Sequence, residues 1–228
     1  MEELVIRPVA HIRTDFPTKF GVPRQSGRAP CAEGVVVFEP EYRGEAALRG
    51  IEGFSHLWLI FDFSLAHRET WSPTVRPPRL GGNTRVGVFA TRSPFRPNPL
   101  GLSCVRLDAV EKTAEHGTVL RVSGVDLVDG TPIFDIKPYL VFADARPEAT
   151  AGFAASGESH RLAVVFPDAL AARVPAGKRE ALAECLADDP RPSYQDDGRT
   201  YTMPFAGVEV DFTVDGGTLT VVDVRSAT

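Results

Sequence analysis

Between His67 and Leu107 the chain carries seven arginines, Arg68, Arg76, Arg79, Arg85, Arg92, Arg96 and Arg106, against a single acid, Glu69, and no lysine. An arginine presents a planar fork of N–H donors that matches a carboxylate or a phosphate at two points at once, which lysine cannot do. The stretch therefore has the chemistry of an anion-binding surface, although the whole chain has a formal net charge of -5. Two of these arginines lie in ATRSPFRPNPLGLS, Ala90 to Ser103. There Pro94, Pro97 and Pro99 hold the backbone near extended geometry and remove three donors. Arg92, Phe95, Arg96 and Asn98 are then presented with little conformational freedom left to lose on binding. The competing reading of this peptide is a rigid crossover loop.

Three further stretches offer chemistry. In KFGVPRQSG, Gly21, Pro23 and Gly27 shape a loop that presents Arg24 and Gln25. In SGVDLVDGTPIFDIKPYL, Asp126, Asp129 and Asp135 surround an Asp-Gly turn, and Asp135 and Lys137 alternate with Phe134 and Ile136. That alternation puts both polar groups on one face of a strand, as a buried ion pair or as an active-site pair. In DDPRPSY, Asp188 to Tyr194, the Asp-Pro step is an ordinary helix stop. The turn would nonetheless hold Arg191 and Tyr194 ready to clamp an unpaired base by stacking and hydrogen bonding.

Familiar catalytic signatures are missing: no glycine-rich phosphate loop, no GxSxG, no HExxH and no dinucleotide glycine fingerprint. The five histidines are scattered singly, so no metal site is expected, and His56 reads as a satisfied core residue ahead of a catalytic one. Cys31, Cys104 and Cys185 are too far apart in sequence for a ligand motif and too few for a disulfide framework. Any catalysis must come from positioning and electrostatics. The first residues, MEELVIRPVAHIRTDF, are charged from the second position, and no apolar run is long enough to span a bilayer, so a soluble cytoplasmic protein is expected.

The elements that must hold these groups are mostly strands. Strand-like runs recur at Leu4–Ile12, Gly34–Glu39, Phe54–Phe63, Arg85–Thr91, Ser103–Glu111, Thr118–Val128 and Ile133–Phe142. Short β-rich runs divided by Gly and Pro turns predict a mainly β fold, an antiparallel sheet curling into a small barrel or sandwich with long functional loops. FSHLWLIFDF is apolar on both faces and predicts a central strand. Glu41 to Gly50 reads as a short helix ended by its glycine. The long segments Pro17–Pro30 and His67–Asn83 fit neither state and are read as functional loops. The barrel is expected over 1–142, a linker over 143–159, and a small α+β unit over 160–228, the last acidic, with eight basic and thirteen acidic residues from Arg146 onward.

Five stretches in order, KFGVPRQ, GFSHLWLIF, PTVRPPRLGGNTRVGVFATRSPFRPNPLGLS, DLVDGTPIFDIKPYL and DPRPSY, together resemble the TrmO family of bacterial tRNA methyltransferases. The resemblance implies a β-barrel enzyme that uses S-adenosylmethionine to methylate the exocyclic N6 nitrogen of threonylcarbamoyl-adenosine beside the anticodon of threonine tRNA. It implies a homodimer with the cofactor near the subunit interface, and no metal. Carried onto this chain, it implies cofactor contacts at Pro23, Arg24 and Gln25, at Ser64 and Leu65, at Arg92 and Leu102, and at Ser123, Gly124, Val125 and Asp126. On the acceptor side Arg96 is expected to take the threonyl carboxylate, supported by Asn98, Asp135 and Lys137 at the reacting centre. Tyr139, Arg191 and Tyr194 are expected to meet the tRNA.

One position departs from the family pattern: a histidine is usual where this chain has Ser64, and His67 follows three residues later. A backbone contact at Ser64 survives that change, whereas His67 can substitute only if the loop turns back. The alternatives to the tRNA enzyme are a sensor that binds S-adenosylmethionine without transferring its methyl group, and a methyltransferase with a different nucleophile. The intact Arg92, Arg96, Asn98 and DPRP set argues against the sensor.

Overall fold

The computed structural model describes residues 4–77, 80, 82–157, 161–191 and 198–227. Six strands close an antiparallel barrel: β1 (Ala10–Thr14), β2 (Glu33–Phe38), β3 (His56–Asp62), β6 (Leu100–Thr113), β7 (Gly117–Ser123) and β8 (Pro132–Pro138), in the order β1-β2-β7-β6-β3-β8. A two-stranded ribbon, β4 (Thr74–Val75) and β5 (Val86–Gly87), stands outside it. Beyond the barrel, β9 (Ala163–Val165), β10 (Tyr201–Phe205), β11 (Val208–Asp215) and β12 (Thr218–Ser226) form a second sheet in the order β10-β11-β12-β9, only the β12–β9 pair being parallel.

Period-two alternation fills the barrel. Ala10 and Ile12 on β1, Gly34, Val36 and Phe38 on β2, and Leu57, Leu59 and Phe61 on β3 point inward. β3 is central, between β6 and β8, as expected. It is not buried on both faces, however: Trp58 and Ile60 face outward and are only half-buried. On β6 the inward residues are Gly101, Ser103 and Val105, and Gly101 has a specific cause. The Phe61 ring lies across it, so close that a Cβ there would fall 2.1 Å from Cζ.

Three other expectations are corrected. The run Arg85–Thr91 contributes only the two residues of β5 before a 3-10 turn at Val88–Ala90. The helix expected over 41–50 is broken by the extended Gly44 into a 3-10 turn, Pro40–Tyr42, and one turn of helix, α1 (Glu45–Leu48), with Gly50 at φ +89° after it. The strand expected to run to Phe142 stops at Pro138, which has no N–H to continue a ladder. The chain then enters a single helical turn, α2 (Val141–Asp144), whose Asp144 accepts from the Leu140 N–H.

The second unit packs α3 (Asp168–Ala171) and α4 (Arg179–Ala187) against its sheet, α4 burying Ala181, Leu182, Cys185 and Leu186. Its apolar interior is continuous with that of the barrel. Phe16 packs on Phe205 with centroids 5.4 Å apart, and Phe20 stacks against the Tyr201–Phe212 pair. Gly21, at φ +95°, takes a backbone conformation open to glycine, and a Cβ there would lie 2.4 Å from Met203 Sδ. The loop after β1 is thus bedded on the C-terminal sheet.

Candidate active site

The three long loops meet over one end of the barrel and enclose a cleft of about 1650 Å³. Its walls are the loop after β1 (Lys19 to Gln25), the segment after β3 (Ala66 to Pro77) and the proline-rich peptide (Phe89 to Pro97), closed by Asp188 to Arg191. Direct contacts interlock these walls. The Arg68 guanidinium sits 3.6 Å above the Phe95 ring, Lys19 Nζ donates to the Leu65 carbonyl, and Arg92 Nη1 donates to Gln25 Oε1.

The cleft is cationic. Eight of its lining residues are Lys or Arg and three are acids, and two of those acids, Asp188 and Asp189, are already committed to Arg28 and Arg191. Among the described arginines that line the cleft, Arg68, Arg76, Arg85, Arg92 and Arg96 have no carboxylate partner, Arg24 bonds backbone carbonyls, and Arg191 faces Asp189. Positive charge left uncompensated in one concave place is built for an anion.

Arg96 uses Nη1 to bind the carbonyls of Thr91 and Ser93 at 3.1 and 3.2 Å, bracing its own loop. Its Nε and Nη2 have no partner among the described residues. The charge of Arg92 also reaches Asp126, whose carboxylate accepts from Ser103 Oγ at 2.5 Å and from the Ser26 N–H. Burial pushes that carboxyl up to about 6, against the opposing pull of these donors and of Arg92. Gly124 and Gly27, both at positive φ, let the two loops touch, the Gly27 N–H donating to the Gly124 carbonyl at 2.9 Å.

Of the residues expected at the site, Pro23, Arg24, Gln25, Arg92, Arg96 and Arg191 line the cleft. Arg24 is spent on structure: its Nη2 donates to the carbonyls of Asp189 and Arg191 at 2.9 and 2.6 Å. Arg191 is 8% exposed and holds Asp189 in a two-point pair, Nε to Oδ1 at 2.9 Å and Nη2 to Oδ2 at 3.1 Å. It is thus a buried brace and not a presented clamp; Tyr194 lies outside the described residues.

The other expected residues lie away from the cleft walls. Register explains Asp135 and Lys137: they pair across the ladder with the outward Ile60 and Trp58, so they point out of the barrel, where they bind each other at 2.9 Å. Tyr139 packs on Trp58 on the same outer face, with centroids 5.6 Å apart. Leu102 is 56% exposed on the outer side of β6. Asn98, Ser64 and Leu65 are exposed beside the cleft, and Ser123 is buried between Arg106 and Asp108. Val125 is buried in the core.

Sequence reasoning missed the contribution of Asp62, which sits at the end of β3 and accepts from His67 Nε2–H at 2.7 Å. The loop does turn back: His67 lines the cleft. None of the cysteines is an available nucleophile. Burial and Glu184 push the Cys31 thiol up to about 11, and burial raises Cys185, on the cleft floor, still further.

The N-terminal domain profile of tRNA-methyltransferase O matches residues 11–145, and the family's C-terminal domain profile matches residues 159–227. The chain belongs to the tRNA-methyltransferase O family. It is 42% identical over 212 residues to the tRNA (adenine(37)-N6)-methyltransferase of Escherichia coli, with 89% of this chain and 90% of that protein covered. It is 49% identical over 166 residues to the protein of the same name from Eikenella corrodens, covering 72% of this chain and 93% of that one. The crystal structure of TrmO from Pseudomonas aeruginosa superposes with a TM-score of 0.80 at 34% identity, covering 100% of this chain and 99% of that chain. Within this family the arginine-rich cleft is the candidate methyl-transfer site.

Proposed function

We propose that the protein methylates N6 of adenosine 37 in tRNA, that S-adenosylmethionine is the donor, and that the acceptor is the threonylcarbamoyl form of that base in threonine tRNA. The observation that carries this reading is the set of five cleft arginines without carboxylate partners, in a chain that is acidic overall. An RNA backbone and a threonyl carboxylate both need such donors.

The residues fit the donor. Trp71 and Phe89 are exposed rings open to an adenine or a sulfonium, and Gln25 and Arg92 offer polar contacts. The cleft exceeds the roughly 300–1,000 Å³ of an ordinary small-molecule pocket, leaving room for two reactants. S-adenosylmethionine, when bound, supplies a methyl group on a positively charged sulfur. The chain's own part is alignment. The loop stiffened by Pro94, Pro97 and Pro99 carries Arg92 toward the donor side and Arg96 toward the acceptor, so that an in-line displacement gains from fixed geometry. Arg96, with Nε and Nη2 uncommitted, is placed to take the threonyl carboxylate.

The outer face of β6, β3 and α2 supports a homodimer. It exposes Leu100, Leu102, Val141 and Phe142 beside Trp58, an apolar surface that water does not favour. Leu102 would then serve the cleft of the second subunit. The test is mass spectrometry of digested tRNA after incubation with the purified protein and S-adenosylmethionine. One methyl group should appear on threonylcarbamoyl-adenosine of threonine tRNA; methylation of unmodified adenosine instead, or of neither, would reject the acceptor.

A further inference from the structure

We propose that His67, oriented by Asp62, is the proton acceptor for the N6–H that methylation must remove. The inference rests on the acceptor assigned above. An N6 nitrogen conjugated with both a purine ring and a carbonyl is a poor nucleophile while it keeps its proton, so a group that takes the proton as the new bond forms has work to do.

The geometry points to one pair. His67 lies on the cleft wall, 58% exposed at the side chain, while the Asp62 carboxylate beneath it is 13% exposed. Nε2–H donates to Asp62 Oδ1 at 2.7 Å, which leaves Nδ1 as the ring nitrogen able to accept. A base held in one tautomer by a carboxylate behind it is the arrangement that activates weak nucleophiles in many enzymes. The adjoining residue, Arg68, is clamped over Phe95, the neighbour of Arg96, so the wall that carries the dyad is in contact with the wall that carries the group placed to hold the acceptor's carboxylate. Other charged side chains around His67 are Arg68 and Glu69 on its own loop and Lys19 opposite, bonded to the Leu65 carbonyl. None of them bonds the ring.

The balance is complete. The N6 lone pair forms the new N–C bond, the electron pair of the broken S–C bond stays with sulfur, and the N6 proton passes to Nδ1 of His67. The resulting imidazolium is held by Asp62 and returns its proton to water through its exposed edge.

The test is single-turnover methyl transfer to modified threonine tRNA at saturating concentrations across pH 5–9, for wild type, His67→Gln and Asp62→Asn. Donor and tRNA affinities are measured by calorimetry, and the ring tautomer by nitrogen NMR. His67→Gln should slow transfer by about a hundredfold or more, erase the acid limb of the pH profile and leave both affinities within a factor of about two. Asp62→Asn, whose amide N–H can bond Nε2 and move the ring hydrogen to Nδ1, should slow transfer comparably and show the other tautomer. An active wild type whose rate and pH profile survive His67→Gln overturns the dyad alone, as does a loss explained entirely by weaker binding. An inactive wild type overturns the acceptor assignment instead.

Discussion

Asp126 gives the sharpest energetic prediction. Its carboxyl titrates near 6 in the folded chain against an ordinary value of 3.8, because burial disfavours the charge more than Ser103, two backbone N–H groups and Arg92 favour it. A carboxyl that holds its proton more tightly when folded stabilises the fold while it is protonated. That contribution is whole below about pH 4 and is lost as pH rises through 6. A shift of about two pH units corresponds to about 3 kcal/mol. This is a ceiling, since Asp126 keeps part of its surface exposed.

Asp126→Asn preserves the shape and an acceptor oxygen for Ser103 but cannot ionise. The variant's unfolding free energy relative to wild type should therefore climb by as much as about 3 kcal/mol between pH 4 and 7 and then level off. Urea denaturation followed by circular dichroism at half-unit pH steps, with the slope m held common, measures this. A difference that stays flat would show that Asp126 does not titrate in this window. A difference that falls would show that Arg92 and the hydrogen bonds stabilise the ionised form by more than burial penalises it.

Three further outcomes follow from the same geometry. If Arg68, Arg76 and Arg85, the cleft arginines assigned neither to the donor nor to the carboxylate, contact phosphates, log affinity for the anticodon stem-loop should fall with log salt at a slope of about -2, roughly twentyfold between 50 and 200 mM, and a slope near zero in filter binding would reject that role. Gly21→Ala, forcing a Cβ onto Met203 at positive φ, should lower stability by about 2–4 kcal/mol in denaturant titrations. Adding Met203→Ala should relieve the steric part. Arg191→Met removes the two-point guanidinium partner of the buried Asp189 and should cost about 3–5 kcal/mol of stability. A fully stable Arg191→Met protein that has lost tRNA affinity would restore the presented-clamp reading.

Short β-rich runs between Gly and Pro turns made β2, β6 and β7 legible, whereas the first strand, expected at Leu4–Ile12, forms at Ala10–Thr14. β3 was legible as the central strand it is, although the apolar Trp58 and Ile60 face outward, where Tyr139 and α2 partly cover Trp58. Apolar residues on both faces signal contact on both faces, and a local cover or a second subunit provides that as well as a buried sheet does. Asp135 and Lys137 were rightly placed on one face by alternation. Which face that was depended on the irregularity in the β3–β8 register between Ile60 and Phe61, and nothing local encodes it.

The site was legible as a list of loops and illegible as a division of labour. Arg24 and Arg191 have the look of ligand-binding arginines, each on a stiff, proline-flanked turn. The partners that claim them, the Asp189 and Arg191 carbonyls and the Asp189 carboxylate, include contacts more than 160 positions away in the chain. Arg28 on Asp188 and the Cys31 N–H on Glu184 fasten the same loop to α4. The C-terminal unit therefore acts on the chemistry by fixing where Gln25 stands, and through Gln25 where Arg92 points. A residue type tells what a side chain can bind, and only the fold tells whether something has already bound it. In this cleft the arginines bound neither to a carboxylate nor to the C-terminal unit are Arg68, Arg76, Arg85, Arg92 and Arg96, carried by the loop after β3, the β4–β5 ribbon and the proline-stiffened peptide.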